Sequence, residues 1–213
     1  MENQVEARLK DKYPFFPPDL VAQIVDYGML ANVEEGQELM REGQYVKVLP
    51  LVLEGALKVY IRRDEKEFLL YYIEPKESCV MSFSSIYSDS PSKVFAEVEK
   101  SGEVLLLPVG KIKEWSKAYP AFNQLFFNQY QNRYDDLIQT INQILFGNLE
   151  DRFVSYLEKK IKLNGGNPLQ ITHREMAKDV GSSREVISRL LKKLETTGLI
   201  TTEDEGLKFK IKG

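Results

Sequence analysis

The chain has one cysteine, Cys79, and one histidine, His173, among its 213 residues. A single cysteine excludes an internal disulfide and an iron–sulfur cluster held by four thiolates of one chain. A haem sensor needs an axial ligand such as histidine, and no histidine precedes residue 173. We therefore expect neither cofactor. The cysteine content fits a reducing compartment, and we expect the protein in the cytoplasm.

Long hydrophobic runs are also lacking. Glu54 and Lys58 interrupt the best candidate, and no run approaches the roughly 18 residues that a membrane helix needs. The opening residues, MENQVEARLKDK, lack the apolar segment of a signal peptide. With 43% apolar and 29% charged residues, the composition is that of a globular protein. The length suffices for two domains, and we expect no membrane partner.

The net charge of −3 conceals an uneven distribution. Residues 147–213 carry 13 Lys and Arg against 10 Asp and Glu, a balance of +3, whereas residues 1–146 have 16 against 22, a balance of −6. Attraction to a polyanion depends on the local field rather than on the total charge. The distribution favours a basic C-terminal domain attached to an acidic N-terminal domain.

The most informative segment runs from residue 171 to residue 200. It contains two short helical patterns separated at Gly181, and two S/T-x-x-E capping boxes, Thr172 with Glu175 and Ser182 with Glu185. Two helices joined by a tight turn with glycine are typical of a helix-turn-helix, whose second helix enters the major groove of DNA.

The second of these helices opens with Ser183, Arg184 and Glu185, and Arg189 follows four residues after the glutamate. Positions four apart lie on one helix face, so these side chains can meet base edges together. Arginine matches the two acceptors of guanine, and glutamate accepts from the amino group of cytosine. The alternative is a surface helix with Glu–Arg pairs and no ligand.

This segment resembles the DNA-binding helices of the cyclic-AMP receptor protein and fumarate–nitrate regulator superfamily of bacterial transcription factors. The shared pattern is I-T-x-x-E-x-A-x-x-V-G-x-S-R-E-x-x-x-R-x-L-x-x-L-E-x-x-G-L-I. The resemblance implies a TGTGA-type half-site in double-stranded DNA, with Arg184 and Arg189 on guanines and Glu185 on a cytosine. It also implies phosphate contacts for Thr172 and Ser183, and we expect His173 beside a phosphate.

Residues 31–108 change to short apolar runs with regularly spaced glycines, which predicts antiparallel strands in a closed sandwich or barrel. The predicted strands are 48–53, 56–61, 68–73 and 104–107. The frames E-G-x-x-L-x-x-E-G and L-x-L-V-L-E-G-x-L-K-V-Y-I are similar to the cyclic-nucleotide-binding β-roll of the same superfamily. The expected fold is α+β, with a β-roll, a long dimerisation helix and a C-terminal winged helix-turn-helix.

Residues 121–146 contain no proline or glycine and predict a long helix with a heptad-like apolar stripe. We expect this helix to pair with its copy in a parallel homodimer; the alternative is that it packs only on its own β-roll. Recognition by one small module is usually too weak, which favours the dimer. The predicted seam consists of Phe126, Tyr130, Leu137, Ile141 and Ile144.

The remaining residues predict a helix over 150–163 and a wing with strands at 199–202 and 207–211. We expect domains at 1–118, 119–146 and 147–213, with a hinge at 142–148 because glycine at 147 accommodates backbone changes readily. In the superfamily the region of loop 164–168 touches RNA polymerase, but no matching motif in this chain carries that partner over.

The expected effector of the β-roll is not cyclic AMP. The superfamily's cyclic-AMP binders use a glycine–glutamate pair and an arginine, whereas residues 77–95 contain no arginine. Lys93 offers a point charge without the bidentate fork of arginine. Cys79, Ser82 and Lys93 are the candidate pocket residues, and the effector stays unknown; Cys79 is either a thiol switch or an inert buried side chain.

Two alternative functions differ from that of an effector-controlled regulator. A cupin-type metal enzyme with an accessory DNA domain needs clustered ligands that a barrel without histidine does not supply. A constitutive architectural DNA-binding protein, whose β-roll senses nothing, has the same sequence features as an effector-controlled regulator. The two differ in whether any small molecule changes the affinity for DNA.

Overall fold

A computed structural model describes residues 2–63, 66–145, 148–203 and 206–209. The chain forms two compact units, the first of Met1–Ile61 with Leu70–Asp135 and the second of Arg62–Leu69 with Asp136–Gly213. No helix in the described ranges is long and apolar enough to cross a membrane. The domain limits predicted at residues 118 and 146 stay predictions.

The first unit is an antiparallel β-roll with helices at its ends. Its elements are α1 (Glu2–Lys12), α2 (Pro18–Tyr27), β1 (Met29–Val33), β2 (Glu38–Met40), β3 (Val48–Val52), β4 (Ala56–Arg63), β5 (Lys66–Ile73), α3 (Val80–Ser88), β6 (Phe95–Lys100), β7 (Gly102–Pro108) and α4 (Val109–Ala118). One sheet has the order β1-β7-β3 and the other β2-β6-β4-β5. In the first sheet β7 pairs antiparallel with both neighbours, and in the second β6 does the same with β2 and β4.

The two faces of β3 and β7 fill two hydrophobic clusters. Leu49, Leu51, Leu105 and Leu107 pack towards the helices, in a cluster that includes Trp115. On the other face Val52 and Val104 pack between the sheets with β4 and β6 residues. Successive side chains of a strand alternate between faces, so runs apolar on both sides predict strands covered on both sides.

The turn after β3 brings two backbone segments into close contact. A Cβ on Gly102 would overlap the carbonyl group of Glu54. Only glycine fits there. This contact joins the start of β7 to the turn that leads into β4.

The four predicted strands are confirmed as β3, β4, β5 and β7, with ends that differ by one or two residues. The sequence did not predict strands β1, β2 and β6 or helix α3. Helix α3 was hidden because its serines read as turn residues and because the Cys79 sulfur, rather than a hydroxyl or carboxylate, accepts from the Ser82 N–H at its start.

Helix α5 (Pro120–Leu145) confirms the predicted long helix. Its Phe126 is only 1% exposed, stacks on Phe83 with ring centroids 3.5 Å apart and meets the edge of Phe122. The prediction that Phe126 belongs to a dimer seam is therefore wrong. The reason is that the face of the helix with Phe126 packs in the core of its own β-roll.

The second unit contains a three-helix core and a small hairpin. Its elements are α6 (Leu149–Leu163), α7 (His173–Asp179), α8 (Arg184–Thr196), β8 (Ile200–Glu203) and β9 (Gly206–Phe209). Strands β8 and β9 pair antiparallel and confirm the predicted wing within the described residues. The core forms because α6 and α8 are strongly amphipathic, with Phe153, Leu157, Ile187, Leu191 and Leu194 buried.

Candidate DNA interface

Helix α7 begins with the capping box that the sequence predicts. The Thr172 hydroxyl accepts from the Glu175 N–H at 3.2 Å, and the Glu175 carboxylate accepts from the Thr172 N–H at 2.8 Å. Both donors are among those left free at a helix start. Thr172 is exposed, as a phosphate contact requires.

Helix α8 begins one residue later than predicted. Its N-cap is Ser183, whose hydroxyl accepts from the Val186 N–H at 3.3 Å. The second capping box, assigned to Ser182 with Glu185, is therefore wrong. The Ser182 N–H donates instead to the Ala177 carbonyl oxygen, which closes the turn in which Gly181 has a φ of +66°.

The later start makes Arg184 the first residue of α8. Arg184, Glu185 and Arg189 are all exposed. The pKa of Glu185 is lowered by its own backbone N–H and by the Ser183 hydroxyl, with smaller contributions from Arg184 and Arg189. The lowered pKa keeps the Glu185 carboxyl ionised at neutral pH.

Buried residues fix the position of this exposed surface. The Tyr156 hydroxyl donates to Asp179 Oδ2 at 2.9 Å, and Lys160 Nζ lies 3.7 Å from the same oxygen. All three side chains are buried, and they join α6 to the end of α7. A buried charge needs such a partner. The turn between α7 and α8 consequently rests on a satisfied polar cluster.

A contact between the two helices involves the single histidine. His173 Nδ1 lies 2.9 Å from the Ser188 hydroxyl, and this hydroxyl donates its proton to the Arg184 carbonyl oxygen at 2.9 Å. The sequence placed His173 near a phosphate but gave no sign of Ser188, since the two are 15 residues apart. This pair links the start of α7 to the first turns of α8.

A cluster of charged residues beside α8 was also missed. Glu67 is bonded to Lys178, and a cavity of about 240 Å³ is lined by Glu67, Arg174, Lys178 and Arg184 together with small residues of the turn. Arg174 and Lys178 lie four apart on α7 and are exposed, a spacing that could have been noticed. The contact of Glu67 with α7 could not be predicted from the sequence, because more than 100 residues separate Glu67 from this helix.

The candidate effector residues lie in the first unit. Cys79 and Ser82 are buried and adjacent, since the Ser82 N–H donates to Cys79 Sγ at 3.4 Å. Lys93 is exposed in the segment between α3 and β6. The role of these three residues in an effector pocket stays a prediction.

The same segment is tied to helix α5. The Ser78 N–H donates to Gln129 Oε1 at 3.0 Å, the Tyr130 hydroxyl donates to the Val80 carbonyl oxygen at 3.1 Å, and Arg133 pairs with Glu77 at 2.9 Å. Arg133 also lies over the ring of Tyr71, with 4.6 Å to the centroid. Burial raises the pKa of the Tyr71 hydroxyl well above its ordinary value, and Cys79 is the second cause.

A different face of α5 is apolar and exposed. Phe127 is 68% exposed, and the stripe continues at spacings of three and four residues. Three of the predicted seam residues, Tyr130, Leu137 and Ile141, belong to it. The side chain of a further predicted seam residue, Ile144, lies outside the described part of the structure. The same holds for residue 147 of the predicted hinge. The exposed residues of this face, which we call the α5 stripe, are Phe127, Tyr130, Tyr134, Leu137, Ile138 and Ile141.

Known proteins share this organisation. The Crp-like helix-turn-helix domain family matches residues 151–212. The cAMP-activated global transcriptional regulator CRP of Salmonella typhimurium is 22% identical over 170 residues, which are 76% of this chain and 80% of that protein.

Two solved structures extend the likeness over nearly the whole chain. A transcriptional regulator of the Crp/Fnr family from Eubacterium rectale has a TM-score of 0.80 and 27% identity, covering 93% of this chain and 94% of that one. The c-di-GMP-responsive global regulator CLP of Xanthomonas campestris has a TM-score of 0.79 and 18% identity, covering 92% of this chain and 100% of that one. At that identity the second likeness concerns the fold.

Proposed function

We propose that this chain, which belongs to the CRP/FNR family of DNA-binding transcriptional regulators, acts as a homodimer in the cytoplasm. The dimer recognises a DNA palindrome made of two TGTGA-like half-sites. The observation that carries this proposal is the exposed set of Arg184, Glu185 and Arg189 on the first turns of α8. Two arginines and a glutamate match two guanines and a cytosine, which is the content of one half-site.

The electrostatics of the set support base reading over a role as surface ion pairs. The backbone N–H of Glu185 and the Ser183 hydroxyl lower the pKa of the Glu185 carboxyl, so that the group at the helix start is ionised. The nearby arginines help to keep it ionised, while their exposed guanidinium groups remain accessible to a ligand. An ionised carboxylate accepts from the cytosine amino group, and guanidinium forks face guanine O6 and N7.

The test is a selection from random duplexes with the full-length protein. We expect an enriched inverted repeat of TGTGA-like half-sites, with centres about 10 base pairs or a multiple apart. Enrichment of an unrelated sequence, or of none, contradicts the proposal. A parallel selection with an Arg184→Ala, Arg189→Ala variant is the matched control, and it should lose the repeat.

The dimer is supported by the α5 stripe. Its members recur at positions 127, 130, 134, 137 and 141, the alternating spacings of three and four that let two parallel helices interlock. Exposed apolar patches of this kind mark interaction surfaces. A second copy is the occupant whose stripe has the same period, and twofold pairing matches the symmetry of a palindrome.

The effector of this regulator is, in our proposal, a small molecule other than cyclic AMP that acts on residues 77–82 and helix α5. Three polar contacts already connect these residues to Gln129, Tyr130 and Arg133 of the helix. A ligand that alters them changes the helix that carries the stripe. Segment 77–95 holds no arginine for a cyclic phosphate.

Two measurements test this proposal. Calorimetry at millimolar cyclic AMP should give no saturable binding, and DNA affinity should be the same with and without it; micromolar binding with tighter DNA association contradicts the proposal. Fractionated cell extract should then yield a fraction that changes the DNA affinity. If no fraction does so, the protein is a constitutive architectural DNA-binding protein.

A further inference from the structure

The tip of the β4–β5 hairpin belongs to the second unit, although the rest of both strands belongs to the first. We call its described residues, 62–63 and 67–69, the hairpin tip. Glu67 is 4% exposed and lies 2.5 Å from Arg62 of the same hairpin and 2.9 Å from Lys178 of α7. Burial alone raises the pKa of the Glu67 carboxyl, but the bonds from Lys178 and Arg62 outweigh it and lower that pKa. The buried carboxylate is therefore ionised and held by α7.

Two further contacts place the hairpin tip on the turn of the helix-turn-helix. Phe68 forms an antiparallel β-bridge with Val180, the residue that ends α7. A Cβ on Gly181 would lie 3.3 Å from the Phe68 ring, and Leu69 packs on the core of the same unit. The tip is thus docked through backbone, aromatic and ionic contacts.

The docked carboxylate lies beside exposed cations of the helix-turn-helix. The cavity beside it is lined by Arg174 and Lys178, which lie one turn apart on the exposed face of α7, and by Arg184 at the start of α8. Exposed cations such as Arg174 and Lys178 can bind DNA phosphates. An anionic side chain bonded to one of them competes with a phosphate for the same donor and adds repulsion towards the phosphate itself.

We propose that the hairpin tip is an autoinhibitory strap, which covers the α7–α8 turn with the Glu67 carboxylate in place of a DNA phosphate and is displaced when DNA binds. The inference rests on DNA binding by α7 and α8 and goes beyond it. A strap docked in nine molecules of ten weakens the apparent affinity about tenfold.

A reversible lock tests the strap. Residues opposite each other in an antiparallel bridge have Cα atoms about 4.5–5.5 Å apart, within the range of a disulfide. A Phe68→Cys, Val180→Cys variant can therefore be locked by oxidation, and the native Cys79 is buried and can stay. We expect the oxidised form to bind DNA at least tenfold more weakly than the same protein after reduction.

The binding assay uses two probes, a duplex with inverted TGTGA half-sites and a scrambled duplex of the same length at low salt. Loss on locking should affect both probes, because the strap competes with phosphates. Equal affinity of the oxidised and reduced forms overturns the strap. A reduced form that binds the scrambled duplex as tightly as the palindrome contradicts the proposed half-site. The strap is still tested in that case, because the oxidised and reduced forms can be compared on either duplex.

A second variant removes the charge without changing the shape. Glu67→Gln should bind both duplexes several-fold more tightly than the wild type, up to about tenfold. The matched control is Glu114→Gln on α4, which removes the same charge from an exposed pair with Lys111 and should leave the affinity unchanged. An unchanged or weaker affinity in Glu67→Gln, or an equal gain in Glu114→Gln, overturns the proposal.

Discussion

Replacing Asp179 by alanine should destabilise the second unit strongly. Asp179 accepts from Tyr156 at 2.9 Å and lies 3.7 Å from Lys160 Nζ, and all three are buried. Removal of one member of a buried ion pair costs about 3–5 kcal/mol, because the other charge loses its compensation. The ammonium is not in closest contact with the carboxylate, so we take the lower end, about 3 kcal/mol.

Calorimetry of the full-length protein measures this loss. The transition of the second unit is the one that added DNA shifts upwards, since a ligand of the folded state stabilises it. For a domain of this size, about 3 kcal/mol corresponds to a fall in Tm of roughly 12 °C or more. The control Tyr156→Phe removes only a hydrogen bond and should cost about 1 kcal/mol.

An apolar replacement of the pair distinguishes its charge from its packing. Asp179→Leu combined with Lys160→Met leaves no buried charge and should recover most of the stability, as apolar replacements of buried pairs often do. A loss below about 1 kcal/mol in Asp179→Ala, or a double variant as unstable as the single one, would refute the assignment of this cluster as the support of the turn.

Three further outcomes follow from the structure. Leu137→Asp with Ile141→Asp should convert the proposed dimer to monomers in sedimentation. Asn132→Asp, at an exposed position of the same helix outside the α5 stripe, should not do so. A double variant that sediments as a dimer contradicts the role of the stripe. Phe126→Ala should cost about 3–5 kcal/mol of stability and leave the dimer mass unchanged, because its ring lies in the core of the β-roll. The folded-state pKa of Glu67 is lowered from 4.5, so the contribution of Glu67 to docking is fully present above about pH 4.5 and is lost as the pH falls through the folded-state pKa. We expect amide signals of the hairpin to shift over this pH range in the wild type but not in Glu67→Gln.

The DNA-binding helices were predictable because their determinants are local. Caps, turn glycine and the polar start of α8 all lie within about 15 residues, and the Thr172 box formed as predicted. The error of one residue at Ser183 arose because either serine satisfies a capping pattern by sequence alone. The choice was made by the Ser182 N–H, which closes the turn on Ala177.

Long-range packing determines which face of a helix is buried, and the local sequence pattern does not predict this. Phe126 and Phe127 are equally apolar, but α5 passes the β-roll with Phe126 inside and Phe127 outside. Periodicity gives the spacing of a stripe without saying which of two adjacent stripes meets the core. The contact of Glu67 with Lys178 depends on a hairpin reaching a helix far along the chain, and no local pattern encodes it.

Binding free energies for single base-pair variants of the palindrome, measured with the wild type and with Arg184→Ala, test the central claim most directly. We predict that the wild type loses about 1–3 kcal/mol when a contacted guanine is replaced, and that Arg184→Ala loses this discrimination at one guanine position while retaining it at the others. An Arg184→Ala variant that binds every sequence more weakly by the same factor would show that the arginine contacts phosphate, and that α8 does not read bases as proposed.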